Sequence, residues 1–253
     1  MQLKNVGAQL YTLRDQMKTA SEIAQTLKQV RAIGYEVVQA SCVGPIRPQE
    51  LKKILDDNGL WACSTHESLD DIFKNTDQLI ERLKILGAVT TAIPHIGEEY
   101  RSAEGYKRLA HSANIAGRKL KAAGITLLYH NHGFEFQKYG DKIGLEILYD
   151  ESDPECLQGE IDTYWVQYGG GSPTAWCRRL QGRLPLVHLK DMTIIDNQPT
   201  MAEIGQGNID FKEVCQACDQ SGTTWFMVEQ DVCQRPPLES LKMSFDYLKQ
   251  LCT

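Results

Sequence analysis

The 253-residue sequence has no apolar run approaching the ~20 residues of a membrane span. Its opening, MQLKNVGAQLYTLRD, lacks the long apolar core of a secretion signal. Neither a membrane nor an exported protein is expected, and the expected compartment is the cytoplasm. Positive charge is short: 27 Lys and Arg stand against 33 Asp and Glu, for a formal net charge of −6. Nucleic acid and anionic membrane both need a positive surface, so neither is an expected partner. No Gly-x-Gly-x-x-Gly follows the first apolar run and there is no Walker sequence, which removes the usual dinucleotide and nucleoside triphosphate signatures. Linkers and low-complexity segments are also missing, so one domain over residues 1–253 is expected.

The eight cysteines do not point to a disulfide framework, because a chain of this size does not need one. The Cys-x-x-Cys of Cys215 and Cys218 lies in FKEVCQACDQSG, which reads as a helix ending at Gly222. A redox pair belongs at a helix start after a strand, and a zinc site needs a second pair. Buried or half-buried free thiols are expected here.

The rest of the sequence alternates. Eight apolar runs (NVGAQLYT, YEVVQASC, LWACSTHES, VTTAIPHI, ITLLYHNH, LQGEIDTYW, LPLVHLKD and WFMVEQD) are separated by amphipathic stretches that mostly end in glycine. TASEIAQTLKQVRAIG opens on a Thr/Ser cap, spaces its apolar residues at three and four, and stops at Gly34. Pro48 stands near the first turn of RPQELKKILDDNG. Only LEILYDESDPE is a weak helix. Eight strand–helix pairs in about 250 residues is the size and rhythm of an α/β fold of the (β/α)8 TIM-barrel type.

Active-site groups of such barrels collect at the C-terminal strand ends. Gln9 and Tyr11 close the first run, His66 and Glu67 the third, and His95 the fourth. His130 and His132 close the fifth, with Glu135 just beyond. Asp162 closes the sixth, His188 with Lys190 the seventh, and Glu229 the eighth. Five of the six histidines thus fall at strand ends, and His111, on a helix, reads as a surface or packing residue. The last four strands offer imidazole, carboxylate, imidazole and carboxylate to one mouth. Such mixed donors suit one divalent ion, Mn, Co, Zn, Fe or Mg. Clustered acids without a cation would repel one another.

These phrases also resemble a family. YHNHGFEF, EIDTYWV, LVHLKDM, IGQGNIDF and VEQDVCQRPPLESLKMSFDYLK, with the opening GAQLYTLRD, are similar to sugar phosphate isomerase/epimerase proteins of the xylose-isomerase-like barrel superfamily, over residues 5–250. The resemblance implies a metal held by Asp162, His188, Glu229 and a group from the fifth strand. Where relatives carry Glu there, this chain has His130 in register and Glu135 several residues later. Both are expected beside the metal or its ligands. The resemblance further implies proton abstraction α to a carbonyl of a sugar, keto-sugar or cyclitol, with Glu229 as one acid–base group and His132 as the other. Isomerisation or epimerisation is the first expected outcome, and β-elimination from a keto-inositol or 3-keto-glycoside the alternative.

Lys190 and Arg235 are candidate contacts to substrate hydroxyl or phosphate, with His66 and His95 beside them. For Lys190 the competing role is to neutralise the acidic mouth, and for Arg235 a loop salt bridge. Glu203 and Gln206 sit on a glycine-containing loop expected beyond the seventh strand. Tyr164, Trp165 and Trp176 read as packing residues. An apurinic-endonuclease-type phosphodiesterase would need more histidines and a basic groove. A non-catalytic sugar-binding barrel is opposed by the Asp162, His188, Glu229 set. The expected partner is a small carbohydrate, and the sequence leaves room for a homo-oligomer.

Overall fold

The computed structural model describes residues 1–252. Eight parallel strands close into a barrel: β1 (Val6–Gln9), β2 (Val37–Ala40), β3 (Trp61–His66), β4 (Thr90–Ile93), β5 (Thr126–His130), β6 (Gln158–Asp162), β7 (Leu186–Leu189) and β8 (Trp225–Val228). Each pairs with its neighbours in sequence, and β1 pairs with β8 to close the ring. The helices form the outer layer: α1 (Ala20–Ile33), α2 (Pro48–Asp57), α3 (Leu69–Phe73), α4 (Thr76–Leu86), α5 (Ala103–Ala122), α6 (Gly144–Glu151), α7 (Thr163–Tyr168), α8 (Pro173–Arg179), α9 (Phe211–Ser221) and α10 (Pro237–Leu251). The expected (β/α)8 barrel is therefore the fold.

Local chemistry sets the element ends. Thr19 and Glu22 form a capping box at the start of α1. Gly87 and Gly222 end α4 and α9 in the left-handed conformation. The sixth apolar run is strand only as far as Asp162. Its expected continuation, Thr163 to Trp165, is the first turn of α7, because the Asp162 side chain accepts the Trp165 N–H at 3.0 Å and caps a helix there. The weak helix expected at LEILYDESDPE forms as α6, preceded by a two-stranded hairpin, Lys138–Tyr139 with Lys142–Ile143. The glycine-containing loop expected beyond β7 is preceded by a second hairpin, Asp191–Ile195 with Gln198–Ala202. Asp191 ties that loop down by accepting N–H groups from Met192, Gly205, Gly207 and Ile209.

The main apolar core lies between strands and helices. A smaller cluster fills the barrel itself: Val37, Cys63, Ala92, Leu128, Leu186 and Met227, with Trp61 and Trp225, edge to face with each other, packed against it. Gly7 is needed in that interior, since a Cβ there would stand 2.7 Å from the Met227 sulfur and 2.8 Å from the Val37 carbonyl oxygen. Toward the C-terminal strand ends the interior turns polar, with Gln9, Gln39, Ser64 and Glu160 all fully buried. The core thus supports a floor on which ionisable groups are stacked. Cys215 and Cys218 are buried free thiols in α9, and Cys218 lies 3.5 Å from the Cys177 sulfur. Among the described residues no helix is long and apolar enough to cross a membrane.

Candidate metal centre and cavity

Alternation along β5, β6 and β7 turns His130, Glu160, Asp162 and His188 into the barrel, and strand pairing sets their depth. His130 is level with Glu160, and Asp162 with His188. Glu160 is fully buried. One of its oxygens lies 2.6 Å from His66 Nε2, 3.0 Å from His188 Nε2 and 3.5 Å from His130 Nδ1. The other accepts the Gln39 side-chain N–H at 2.7 Å. Gln39 also bridges Gln9 and His188 through its carbonyl oxygen. Above this layer His188 Nδ1 meets a Glu229 oxygen at 2.9 Å, and one Asp162 oxygen is 3.9 Å from both His130 Nε2 and His188 Nδ1.

Two overlapping sets result, His66–His130–Glu160–His188 and His130–Asp162–His188–Glu229. In each, donor atoms lie within 4.8 Å of one another. A divalent ion with bonds near ~2.1 Å to N and O donors fits such spacing. The fit is supported by His130 Nδ1, a buried nitrogen that has no hydrogen-bond partner among the described residues.

Electrostatics set the protonation states. Burial opposes charge on His188, but Glu160 and Glu229 outweigh it and raise its pKa to about 10. Burial works against ionising Glu160 as well, yet His188 and His66 hold it well below the usual carboxylate range. Glu229 is likewise held low, by Lys190 and His188. Burial, opposed by Lys190, leaves Asp162 at about 6. Burial and then His188 lower His130 to about 3, and burial and then His130 lower His132 to about 2, so both are neutral imidazoles. A metal taking His188 must therefore displace a proton.

A cavity of about 480 Å³ opens over this cluster. Its lining includes Tyr11, His66, Glu67, His95, His130, His132, Glu229 and Asp231. The structure thus brings together His66, His95, His130, His132, Asp162, His188, Lys190 and Glu229 at one end of the barrel. Glu67, on the cavity wall, pairs with Arg82. His132 lies between Phe134, stacked at 5.5 Å, and Trp165 at 5.3 Å. Tyr164 and Trp176 are buried, as packing residues should be. His111 is exposed on α5.

Three expected contacts are not made. Glu135 does not reach the cluster. Its carboxylate accepts the Tyr129 hydroxyl at 2.8 Å and the His132 N–H at 2.9 Å. Tyr129 precedes His130 on β5 and so faces the helix layer, and Glu135 follows it to the outside of the barrel. Burial there raises its pKa to about 8. Arg235 is not on the cavity wall. Its guanidinium is 3.0 Å from Glu203, which also accepts the Ser240 hydroxyl, so the loop salt bridge is its role. Lys190 is buried among Asp162, Glu229 and Asp231 rather than exposed to the cavity. Sequence reasoning missed Glu160, Gln39 and Asp231. For Glu160 a signal existed: it lies two residues before Asp162, hence on the same face of a strand.

Residues 27–251 match the family described as the xylose isomerase-like TIM barrel. Inosose dehydratase of Lacticaseibacillus casei is 24% identical over 264 residues, covering 88% of each chain. Inosose dehydratase of Mesomycoplasma hyopneumoniae strain J is 25% identical, covering 96% of this chain and 93% of its own. A sugar phosphate isomerase/epimerase structure from Parabacteroides distasonis superposes with a TM-score of 0.79 at 24% identity, over 100% of this chain and 95% of that one. L-ribulose 3-epimerase superposes with a TM-score of 0.71 at 16% identity, over 98% and 94%.

Proposed function

The chain belongs to the xylose isomerase-like TIM barrel family, and on that premise we propose that it is a metal-dependent enzyme that removes a proton α to the carbonyl of a polyhydroxylated ketone and expels a β-hydroxyl as water. The observation that carries the reading is the pairing, in one cavity, of an ionised carboxylate, Glu229, with a neutral imidazole, His132, over a cluster able to hold a cation.

His130 and His188 would hold the ion, with Asp162 and Glu229 or with His66 and Glu160. When bound, it supplies positive charge where negative charge grows on the substrate carbonyl oxygen. Glu229, kept ionised by Lys190 and His188, is the group that accepts the α-proton. The departing hydroxyl needs a proton, and Glu229, now protonated, is the group that returns it from the same face, releasing water. His132 is poorly suited to return a proton from the opposite face, because burial keeps it neutral. It instead orients a substrate hydroxyl, wedged between Phe134 and Trp165. The curated relatives, named inosose dehydratases, support a keto-cyclitol or similar keto-sugar as substrate.

Isomerisation is the second reading. It needs Glu229 to return the proton to the former carbonyl carbon on the same face while the hydroxyl proton of the α-carbon passes to the former carbonyl oxygen, and the same residues serve it. Epimerisation across two faces is disfavoured by the neutral state of His132. The test is a screen of keto-sugars, keto-inositols and 3-keto-glycosides with Mn²⁺ in D₂O, following α-carbon deuteration by NMR and water loss by mass. Loss of 18 Da supports the dehydratase, and deuterated isomer at constant mass of the carbon skeleton supports the isomerase. Metal-loaded protein that neither exchanges a proton nor loses water with any of them would refute both.

A further inference from the structure

The outer donor set already faces a cation that the chain carries itself. Lys190 follows His188 by two residues, so both enter the barrel from the end of β7. Its side chain is only 1% exposed. The ammonium nitrogen lies 2.9 Å from an Asp162 oxygen, 2.8 Å from a Glu229 oxygen and 2.9 Å from an Asp231 oxygen. Asp162 and Glu229 are both carboxylates of the outer set.

We propose that Lys190 is a resident counter-ion that competes with the divalent ion for Asp162 and Glu229, and that loading the outer set requires its ammonium to withdraw toward Asp231. This inference rests on the metal reading above. A divalent ion bonded to the same oxygens at about 2.1 Å would stand within about 5 Å of the ammonium. In a buried site that repulsion is only weakly screened. Asp162 cannot turn away freely, because its other oxygen caps α7 through the Trp165 N–H. Glu229 is held by His188 as well. Asp231 is the free side of the triangle. Its side chain is 23% exposed and lines the cavity, and it already accepts a hydrogen bond from Lys190. The lysine therefore keeps three acids together while no metal is bound, and weakens the metal when it arrives.

The experiment compares the full-length wild type with Lys190→Met and Lys190→Gln, each stripped of metal by chelator. Mn²⁺ alone is titrated, free ion is counted by electron paramagnetic resonance, and thermal unfolding is recorded with and without Mn²⁺. The expected result is at least tenfold tighter Mn²⁺ binding in the variants. Their metal-free midpoints should fall below the wild type, and Mn²⁺ should raise them by more. Glutamine can still donate hydrogen bonds to the same oxygens, so it answers the question if the methionine variant fails to fold. Asp231→Asn should weaken Mn²⁺ binding at least threefold in the wild-type background and less in the Lys190→Gln background. The same loss in both backgrounds overturns the withdrawal to Asp231. Equal or weaker binding in the Lys190 variants overturns the competition while leaving the metal reading intact. If neither the wild type nor any variant binds Mn²⁺ at millimolar concentration, both fall.

Discussion

Replacing Glu160 by Gln keeps the shape of a fully buried side chain and removes its charge. In the native protein that carboxylate meets His66 at 2.6 Å, His188 at 3.0 Å and the Gln39 amide at 2.7 Å. A glutamine must turn its NH₂ either toward the Gln39 donor or toward the two imidazoles, so at least one partner is lost in either orientation. Hydrogen bonds to charged groups contribute about 1.5–3 kcal/mol each. Breaking a buried ion pair by removing one member costs about 3–5 kcal/mol, and that range is the expected loss. At roughly 2–4 °C per kcal/mol for a chain of this size, the midpoint of the metal-free protein should drop by about 6–20 °C. The assay is thermal unfolding at pH 7 in chelator, alongside Glu239→Gln, whose side chain is 57% exposed, as a control expected to change little. A second readout is the His188 titration by NMR. Glu160 is the foremost influence raising that pKa toward about 10, so it should fall in the variant. A midpoint within 2 °C of the wild type, or an unmoved His188, would refute the reasoning that Glu160 anchors the imidazole layer.

Three further outcomes are expected. His188→Ala should abolish Mn²⁺ binding, because His188 belongs to both donor sets, while circular dichroism of the barrel stays native; a variant that keeps full metal occupancy would sink the assignment. Glu229→Gln should lower α-proton exchange by about 10²–10⁴-fold while costing less in metal affinity, and unchanged exchange would reassign the base. The third concerns pH. Glu135 is raised to about 8 by burial, from an ordinary value of 4.5. Between those values the folded state keeps a proton that the unfolded chain has released, so this group makes stability fall as pH rises from 4.5 through 8. Glu135→Gln should flatten that slope in denaturant unfolding at pH 5 and pH 8; an identical slope in both proteins would show that Glu135 does not cause it.

The barrel was legible in the sequence because its periods are local. Alternating apolar runs and three–four spaced helices with glycine ends are properties of short segments, and eight of them in 250 residues leave few architectures. The same locality placed His130, Asp162, His188 and Glu229 at strand ends, and put Lys190 on the face of His188. Depth and flank are different matters, since they depend on strands distant in the chain. Pairing of β5 with β6 sets Glu160 level with His130, and pairing of β7 with both neighbours brings β6 and β8 to either side of Lys190. Only then do Asp162, Glu229 and Asp231 converge on one ammonium. Glu135 shows the limit most clearly. Its distance along the chain allowed it to turn inward or outward, and the partner that decides between them, Tyr129, faces the helix layer because it alternates with His130. A buried carboxylate goes where hydrogen-bond donors await it, and donors from Tyr129 and the His132 backbone stand together only in the folded barrel.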